Sequence, residues 1–282
     1  MPRVGLQILW RARERGEALS GVMELVFLGT GTSVGVPAIG CGCAVCRSED
    51  PRNKRRRCSI WIRVGDFSLV VDTGADFRAQ CLDAGIERVD AVLISHAHCD
   101  HIMGFDDLRR PTARLAGRLP VYALPETLDV LRRCFSHAFD PNPPMPGYLS
   151  AMGVEIGGVF AVGPLEVTPV PVKHGHVATI GFVFRAAGME PVAYVSDVKE
   201  ITPDGMAALE GVGCLILDGL RDRPHPTHLT VADALEVSAA LGNPPTWLTH
   251  FSCELDHAEM EMRLPPHVRP AYDNLKLHFP EN

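Results

Sequence analysis

Ala91-Val92-Leu93-Ile94-Ser95-His96-Ala97-His98-Cys99-Asp100-His101 is the stretch that decides how this chain folds. It opens as an apolar strand and closes with four residues of metal-ligand type in six positions. Alternation along an extended segment puts His96 and His98 on one side, and a turn at Cys99 swings Asp100 and His101 toward a second point nearby. One divalent ion then takes two imidazoles and another takes a carboxylate and an imidazole. Such donors suit zinc, manganese or iron better than calcium.

A two-metal site needs further ligands, and later strand-like runs end in them. His174 follows Val170-Pro171-Val172-Lys173, Asp197 ends the run from Val192, and His250 ends the run from Thr246. Asp197 is the natural bridge, because one carboxylate can bind two ions. Asp72, in Val71-Asp72-Thr73-Gly74, is expected to orient ligands from behind them. A hydroxide bridging the two ions is the expected nucleophile. His228, just ahead of an expected helix, is the candidate general acid, with His225 and His176 as alternatives.

Outward from this motif, expected strands are Glu24–Gly29, Ser59–Val64, Ser68–Asp72, Ala91–Ser95, Pro120–Ala123, Leu165–Val170, Gly181–Phe184, Val192–Ser196, Cys214–Asp218 and Thr246–His250. Expected helices are Phe77–Asp83, Phe105–Arg110, Glu126–Phe135, Gly205–Leu209 and Val231–Leu241. The early strands follow one another as hairpins and the later ones alternate with helices, which predicts two face-to-face sheets flanked by helices. Gly29-Thr30-Gly31-Thr32-Ser33 lacks the dinucleotide fingerprint, which disfavours a doubly wound sheet. The four prolines of Ser136–Tyr148 exclude a helix or central strand there and mark a candidate lid loop.

Residues 1–22 read as an N-terminal extension, a short basic amphipathic helix ahead of a natural start at Met23, and 23–282 read as a single domain. The apolar run before Arg11 is too short for an export signal, and no later stretch reads as a membrane span, so a cytoplasmic location is expected. A net charge of −7 argues against a general grip on nucleic acid. The single dense basic run, Arg52-Asn53-Lys54-Arg55-Arg56-Arg57, is expected to be a solvated loop, with a face toward an anionic substrate as the alternative. Nine cysteines cannot all pair, and three crowd into Cys41-Gly42-Cys43-Ala44-Val45-Cys46. Those three thiolates suit one tetrahedral zinc whose fourth ligand is Cys58, Cys253 or His257.

The run from His96 to His101, followed in order by His174, Asp197 and His250 and preceded by Gly29-Thr30-Gly31 and Val71-Asp72-Thr73-Gly74, resembles the metallo-β-lactamase superfamily. The resemblance spans about Met23 to about His278. It implies an αββα sandwich, with two mixed sheets flanked by helices and a site at one edge of the sheets. It assigns His96, His98 and His174 to one metal, and Asp100, His101 and His250 to the other, with Asp197 between; Asp100 thus serves catalysis directly. The cysteine loop after Gly35-Val36-Pro37-Ala38-Ile39-Gly40, together with Leu248-Thr249-His250-Phe251-Ser252, is similar to the PhnP-like phosphodiesterases. That similarity implies hydrolysis of small cyclic or ribose-linked phosphate diesters, a homodimer, and one structural zinc beside two catalytic ions. The PhnP-like enzymes carry histidine where Cys253 stands here, which makes a four-cysteine site of Cys41, Cys43, Cys46 and Cys253. Weaker similarities are to ribonuclease Z, which matures transfer-RNA 3′ ends, and to the PqqB-type metal-binding carriers. PhnP-like enzymes and ribonuclease Z both place a histidine near the position of His228.

Overall fold

The computed structural model describes residues 22–113, 115, 117–141 and 148–280. The expected N-terminal extension therefore lies outside the described residues except for Val22, and so do residues 142–147 of the candidate lid.

The first strand explains the layering. In β1 (Val22–Gly29), Leu25 and Phe27 face one buried cluster while Val26 and Leu28 face another. A strand apolar on both faces must be covered on both faces. After a short helix α1 (Ala44–Arg47), strands β2 (Ser59–Val64) and β3 (Phe67–Val71) join β1 antiparallel. Helix α2 (Phe77–Ala84), ended by Gly85 at φ 70°, leads to β4 (Ala91–Leu93). The turn α3 (Cys99–Ile102) leads to β5 (Leu119–Ala123), and helices α4 (Pro125–Cys134) and α5 (Ser136–Phe139) lead to β6 (Ala151–Glu155). Strands β4 to β6 add to β3 in parallel.

The second sheet repeats the scheme. Strands β7 (Phe160–Val162), β8 (Leu165–His174), β9 (Val177–Arg185) and β10 (Val192–Val195) pair antiparallel. The short edge strand β11 (Glu200–Ile201) and helix α6 (Pro203–Leu209) precede β12 (Cys214–Asp218), which lies parallel to β10. Helix α7 (Val231–Ala240), capped by the reciprocal Thr230–Asp233 box, leads to β13 (Thr246–Thr249). Helix α8 (His257–Arg263) leads to β14 (Val268–Pro270), and β15 (Lys276–Pro280) returns to the outer edge of β1. The orders are β15-β1-β2-β3-β4-β5-β6 and β11-β8-β9-β10-β12-β13-β14, with β7 beside β8. Phe27, Ile60, Val71, Phe182, Tyr194 and Ile216 fill the space between the sheets, while α4 covers one outer face and α7 and α8 the other.

Two expectations change. Phe105–Arg109 is a 3-10 helix, not an α-helix, and it starts immediately after Gly104 ends the preceding turn. Ser136–Phe139 is helical despite the prolines that follow, because the first of them, Pro141, lies beyond its last turn and removes no helical hydrogen bond.

The sheets place the chemistry. Asp72 follows β3, His96 follows β4, Asp197 follows β10, Asp218 ends β12 and His250 follows β13, all at carboxyl ends of parallel strands. Open α/β sheets bind ligands there as a rule. Two glycines hold the α3 turn in position: a methyl on Gly74 would overlap the Asp100 carbonyl, and one on Gly104 would overlap the Gly74 carbonyl. Gly74→Ala is therefore expected to lower stability by roughly 1–3 kcal/mol and to weaken metal retention, measured by urea denaturation and by metal analysis after dialysis. Unchanged values in both would show that this close approach does not fix the turn.

Candidate metal centre

His98 is the extended residue (φ −67°, ψ 149°) on which the α3 turn begins, so the chain changes direction between His98 and Asp100. That break sends His96 and His98 to one point and Asp100 and His101 to another. Two loop residues at the site, Asp72 and His250, both hold φ at 63°. A positive φ is uncommon outside glycine and concentrates at functional sites.

Hydrogen bonds set the ring tautomers. Asp72, fully buried, accepts from the Ser95 N–H at 2.8 Å, the Ser95 hydroxyl at 2.8 Å and His101 Nδ1 at 2.7 Å. Because the Ser95 hydroxyl is donated to Asp72, it accepts from His96 Nδ1 at 2.9 Å. His174 Nδ1 donates to the Thr227 carbonyl at 2.8 Å. With Nδ1 engaged in this way, each of these three rings turns its Nε2 toward the site. The consequence is a convergence of ring nitrogens and carboxylate oxygens. His98 Nδ1 lies 2.9 Å from His96 Nε2 and 3.3 Å from His174 Nε2. His101 Nε2 lies 3.3 Å from both Asp100 and Asp197, and His250 Nε2 lies 3.2 Å from Asp197.

His101 Nε2, His250 Nε2 and Asp197 Oδ2 are buried without a hydrogen-bond partner. Buried polar atoms without partners carry a desolvation penalty that a bound cation would remove. Burial pulls His96 well below the ordinary imidazole range, lowers His174 and holds His250 down to about 3. Neutral rings are the form that binds metal; His101, which burial would lower but the Asp197 and Asp72 carboxylates raise well above the imidazole range, gives up its Nε2 proton to do so. Asp197, although burial alone would raise it, is held well below the carboxylate range by His250 and His101. The residues present thus fit a pair of divalent ions: His96, His98 and His174 form one group, Asp100, His101, Asp197 and His250 the other.

Beside them stands a pair that the sequence reading only half found. His228 Nδ1 donates to Asp218 Oδ2 at 2.7 Å, and the second Asp218 oxygen lies 3.8 Å from His250 Nδ1. The His228 ring stacks on His250 at 4.6 Å and meets His174 edge-on at 4.7 Å, so it borders ligands of both groups. Burial raises the Asp218 carboxyl to about 7. Burial alone would lower His228, but the Asp218 charge and hydrogen bond raise it overall. The pair therefore retains a proton near neutrality. Asp218 was legible as the acidic end of the apolar run Cys214-Leu215-Ile216-Leu217, the same signal that marks Asp197. Of the alternatives to His228, His225 lies 5.0 Å from it ring to ring, and His176 is exposed in the turn between β8 and β9.

The cysteine loop closes as one group, Cys41, Cys43, Cys46 and Cys253. Cys41 Sγ lies 4.0 Å from Cys253 Sγ. The Cys46 N–H, donated to its sulfur, is the main cause that brings Cys43 down to about 7. The other two candidates for the fourth position lie elsewhere: Cys58 is buried against the Thr249 hydroxyl at 3.5 Å, and His257 is buried 3.5 Å from Glu261. The basic run is not the solvated loop expected. Arg52 pairs with Asp50 and Glu261, Arg56 with Asp83 and Arg57 with Asp76, and Arg55 is buried. Consecutive arginines alternate sides where the chain bridges Val36 and Gly31, and each side meets carboxylates or carbonyls.

The family description "Beta-lactamase superfamily domain" matches residues 68–251. A solved structure of a diphosphatase from the PhnP family superposes with a TM-score of 0.82 at 35% identity, over 93% of this chain and 99% of that one. The chain belongs to the β-lactamase superfamily, in its PhnP family. It carries the metallo-β-lactamase hydrolase fold of two mixed sheets flanked by helices. It is 38% identical over 90% of its length to an octanoyltransferase of Porphyromonas gingivalis, and 27% identical over 77% of its length to a ribonuclease Z of Bradyrhizobium sp.. It spans 51% and 61% of the length of those two curated relatives. Among the described residues, no helix is long and apolar enough to cross a membrane.

Asp72→Ala leaves the Ser95 N–H and the His101 Nδ1–H buried without an acceptor. A loss of roughly 3–5 kcal/mol in folding stability is expected, measured by urea denaturation of the apoprotein. A loss below about 1 kcal/mol would mean that other groups orient the rings.

Proposed function

We propose that this chain is a dinuclear metal-dependent phosphodiesterase acting on small cyclic or ribose-linked phosphate diesters. The observation that carries the proposal is a buried set of converging ring nitrogens and carboxylate oxygens, without hydrogen-bond partners at His101, His250 and Asp197, bordered by the hydrogen-bonded His228–Asp218 pair. The PhnP-family relative supports it, since a diphosphatase also cleaves a phosphorus–oxygen bond. In this proposal His96, His98 and His174 would hold one ion and Asp100, His101 and His250 the other, with the Asp197 carboxylate available to both. Zinc, manganese or iron bound there would supply Lewis acidity and lower the pKa of water to about 7. Cys41, Cys43, Cys46 and Cys253 hold a separate structural zinc.

The chain's own residues do the rest. Asp72 and the Thr227 carbonyl fix ring orientation, so the ligand atoms are placed before the substrate arrives. His228, with Nδ1 anchored on Asp218, presents Nε2 to the departing alkoxide and gives it a proton. Asp218 keeps the ring oriented and its proton bound at neutral pH. The diphosphatase relative favours a second substrate class, a phosphoanhydride, which the same proton donor would serve. Transfer-RNA processing is less well supported, because the net charge is −7 and Arg52, Arg56 and Arg57 are already paired with carboxylates.

The direct test is hydrolysis of bis(p-nitrophenyl) phosphate, 2′,3′-cyclic nucleotides and a nucleoside diphosphate by metallated protein. Turnover of the diesters is expected; a fully metallated protein inert toward all three would overturn the proposal. His228→Ala is expected to lower kcat about 10²–10⁴-fold at full metal content. The acid form must be protonated, so activity holds below the raised pKa of the pair and falls as pH rises through it. Asp218→Asn removes the carboxylate that raises His228, so the alkaline limb of the kcat profile is expected to move to lower pH. A limb that stays in place would remove the pair from proton transfer. Cys43→Ser is expected to release about one zinc per chain and lower Tm; undiminished zinc would leave the cysteine loop without a metal.

A further inference from the structure

Arg55 is the largest fully buried side chain among the described residues. No carboxylate among those residues lies within ion-pair distance of it. Its guanidinium instead donates to the carbonyls of Ser252 at 3.1 Å, Leu255 at 2.8 Å and Arg52 at 3.3 Å, and to Asn53 Oδ1 at 3.0 Å. It also sits over the Phe251 ring at 4.9 Å. Its backbone pairs reciprocally with Val36, at the start of the cysteine loop. One residue thus joins the two loops, its backbone holding the start of the loop that carries Cys41, Cys43 and Cys46 and its side chain the 251–255 loop that carries Cys253.

A buried cation held only by neutral acceptors requires a compensating negative charge nearby. The carboxylates of Asp50, Asp256 and Asp273 contribute, but each is engaged elsewhere: Asp50 with Arg52, Asp256 with Asn53 and the first turn of α8, Asp273 with Thr30 and the Arg56 N–H. Four thiolates around one zinc carry a net charge of −2 and lie on the loop that Arg55 grips. We propose that Arg55 is the buried counter-ion of the four-cysteine site. The inference rests on the four cysteines holding zinc. The Arg55 charge, held on the carbonyls that flank Cys253, offsets the net charge of −2 that four thiolates and one zinc would carry.

The test is cobalt binding by the full chain, because sulfur-to-cobalt charge-transfer absorption reports the thiolate site and not the histidine–carboxylate sites. Wild type, Arg55→Gln and Arg55→Lys are titrated with cobalt, then with zinc in competition. Gln keeps a donor for the loop carbonyls but no charge; Lys keeps the charge but not the fork. Affinity is expected to fall about tenfold or more in Arg55→Gln and to stay within about threefold in Arg55→Lys. Equal losses in the two variants, or none in Arg55→Gln, would overturn the counter-ion role while leaving the zinc site intact. No charge-transfer band in wild type would remove the zinc site itself, and the inference with it. If Arg55→Gln folds only with metal, the same loss is read as a higher metal concentration at half folding.

Discussion

The structure depends on one constraint: ring nitrogens and carboxylate oxygens that only partly satisfy one another must be held together, away from water, at the ends of two sheets. His96 Nε2, His98 Nδ1 and His174 Nε2 crowd within 3.3 Å across the pairs that meet, and His101 and His250 face the Asp197 carboxylate at similar range. Without ions this arrangement opposes folding, so His96, His101 and His174 are tied from behind. Asp72 is the main tie. Its carboxylate fixes Ser95 and His101 directly and His96 through the Ser95 hydroxyl. Asp218 does the same for His228 and lies close to His250.

The two sheets make these ties rigid. Each runs from antiparallel to parallel strands, and Phe27, Phe182, Tyr194 and their neighbours pack the space between them. Dense packing leaves little freedom for the strand ends to drift. The loops that carry function are also pinned by close backbone approaches, as at Gly74 against Asp100, and by the buried Arg55 fork. Each loop is short or cross-tied where it meets the site.

Much of this was legible in the sequence because the physics is local. Four ligand types after an apolar strand, and ligands at the ends of later strands, point to one place once strands are recognised. Ser59–Val64 and Cys214–Asp218 appear with the boundaries their apolar patterns predict. The edge strands were missed for the opposite reason. Lys276–Pro280 mixes charged and apolar residues, and Glu200–Ile201 is too short to carry a pattern; both owe their strand form to a neighbour. Asp218 was seen as the end of a strand but not as a functional group, because its role depends on His228 arriving from ten residues later. The basic run was misjudged for a related reason: its partners Asp76, Asp83 and Glu261 come from distant segments that composition does not reveal.

The central claim is that the converging nitrogens and oxygens are a two-ion site. Anomalous diffraction from zinc-loaded crystals, collected on both sides of the metal absorption edge, tests it most directly. Two peaks are predicted on either side of Asp197, one among His96, His98 and His174 and one among Asp100, His101 and His250, with a third among the four cysteines. A well-ordered, zinc-loaded protein with no peak beside Asp197 would contradict it.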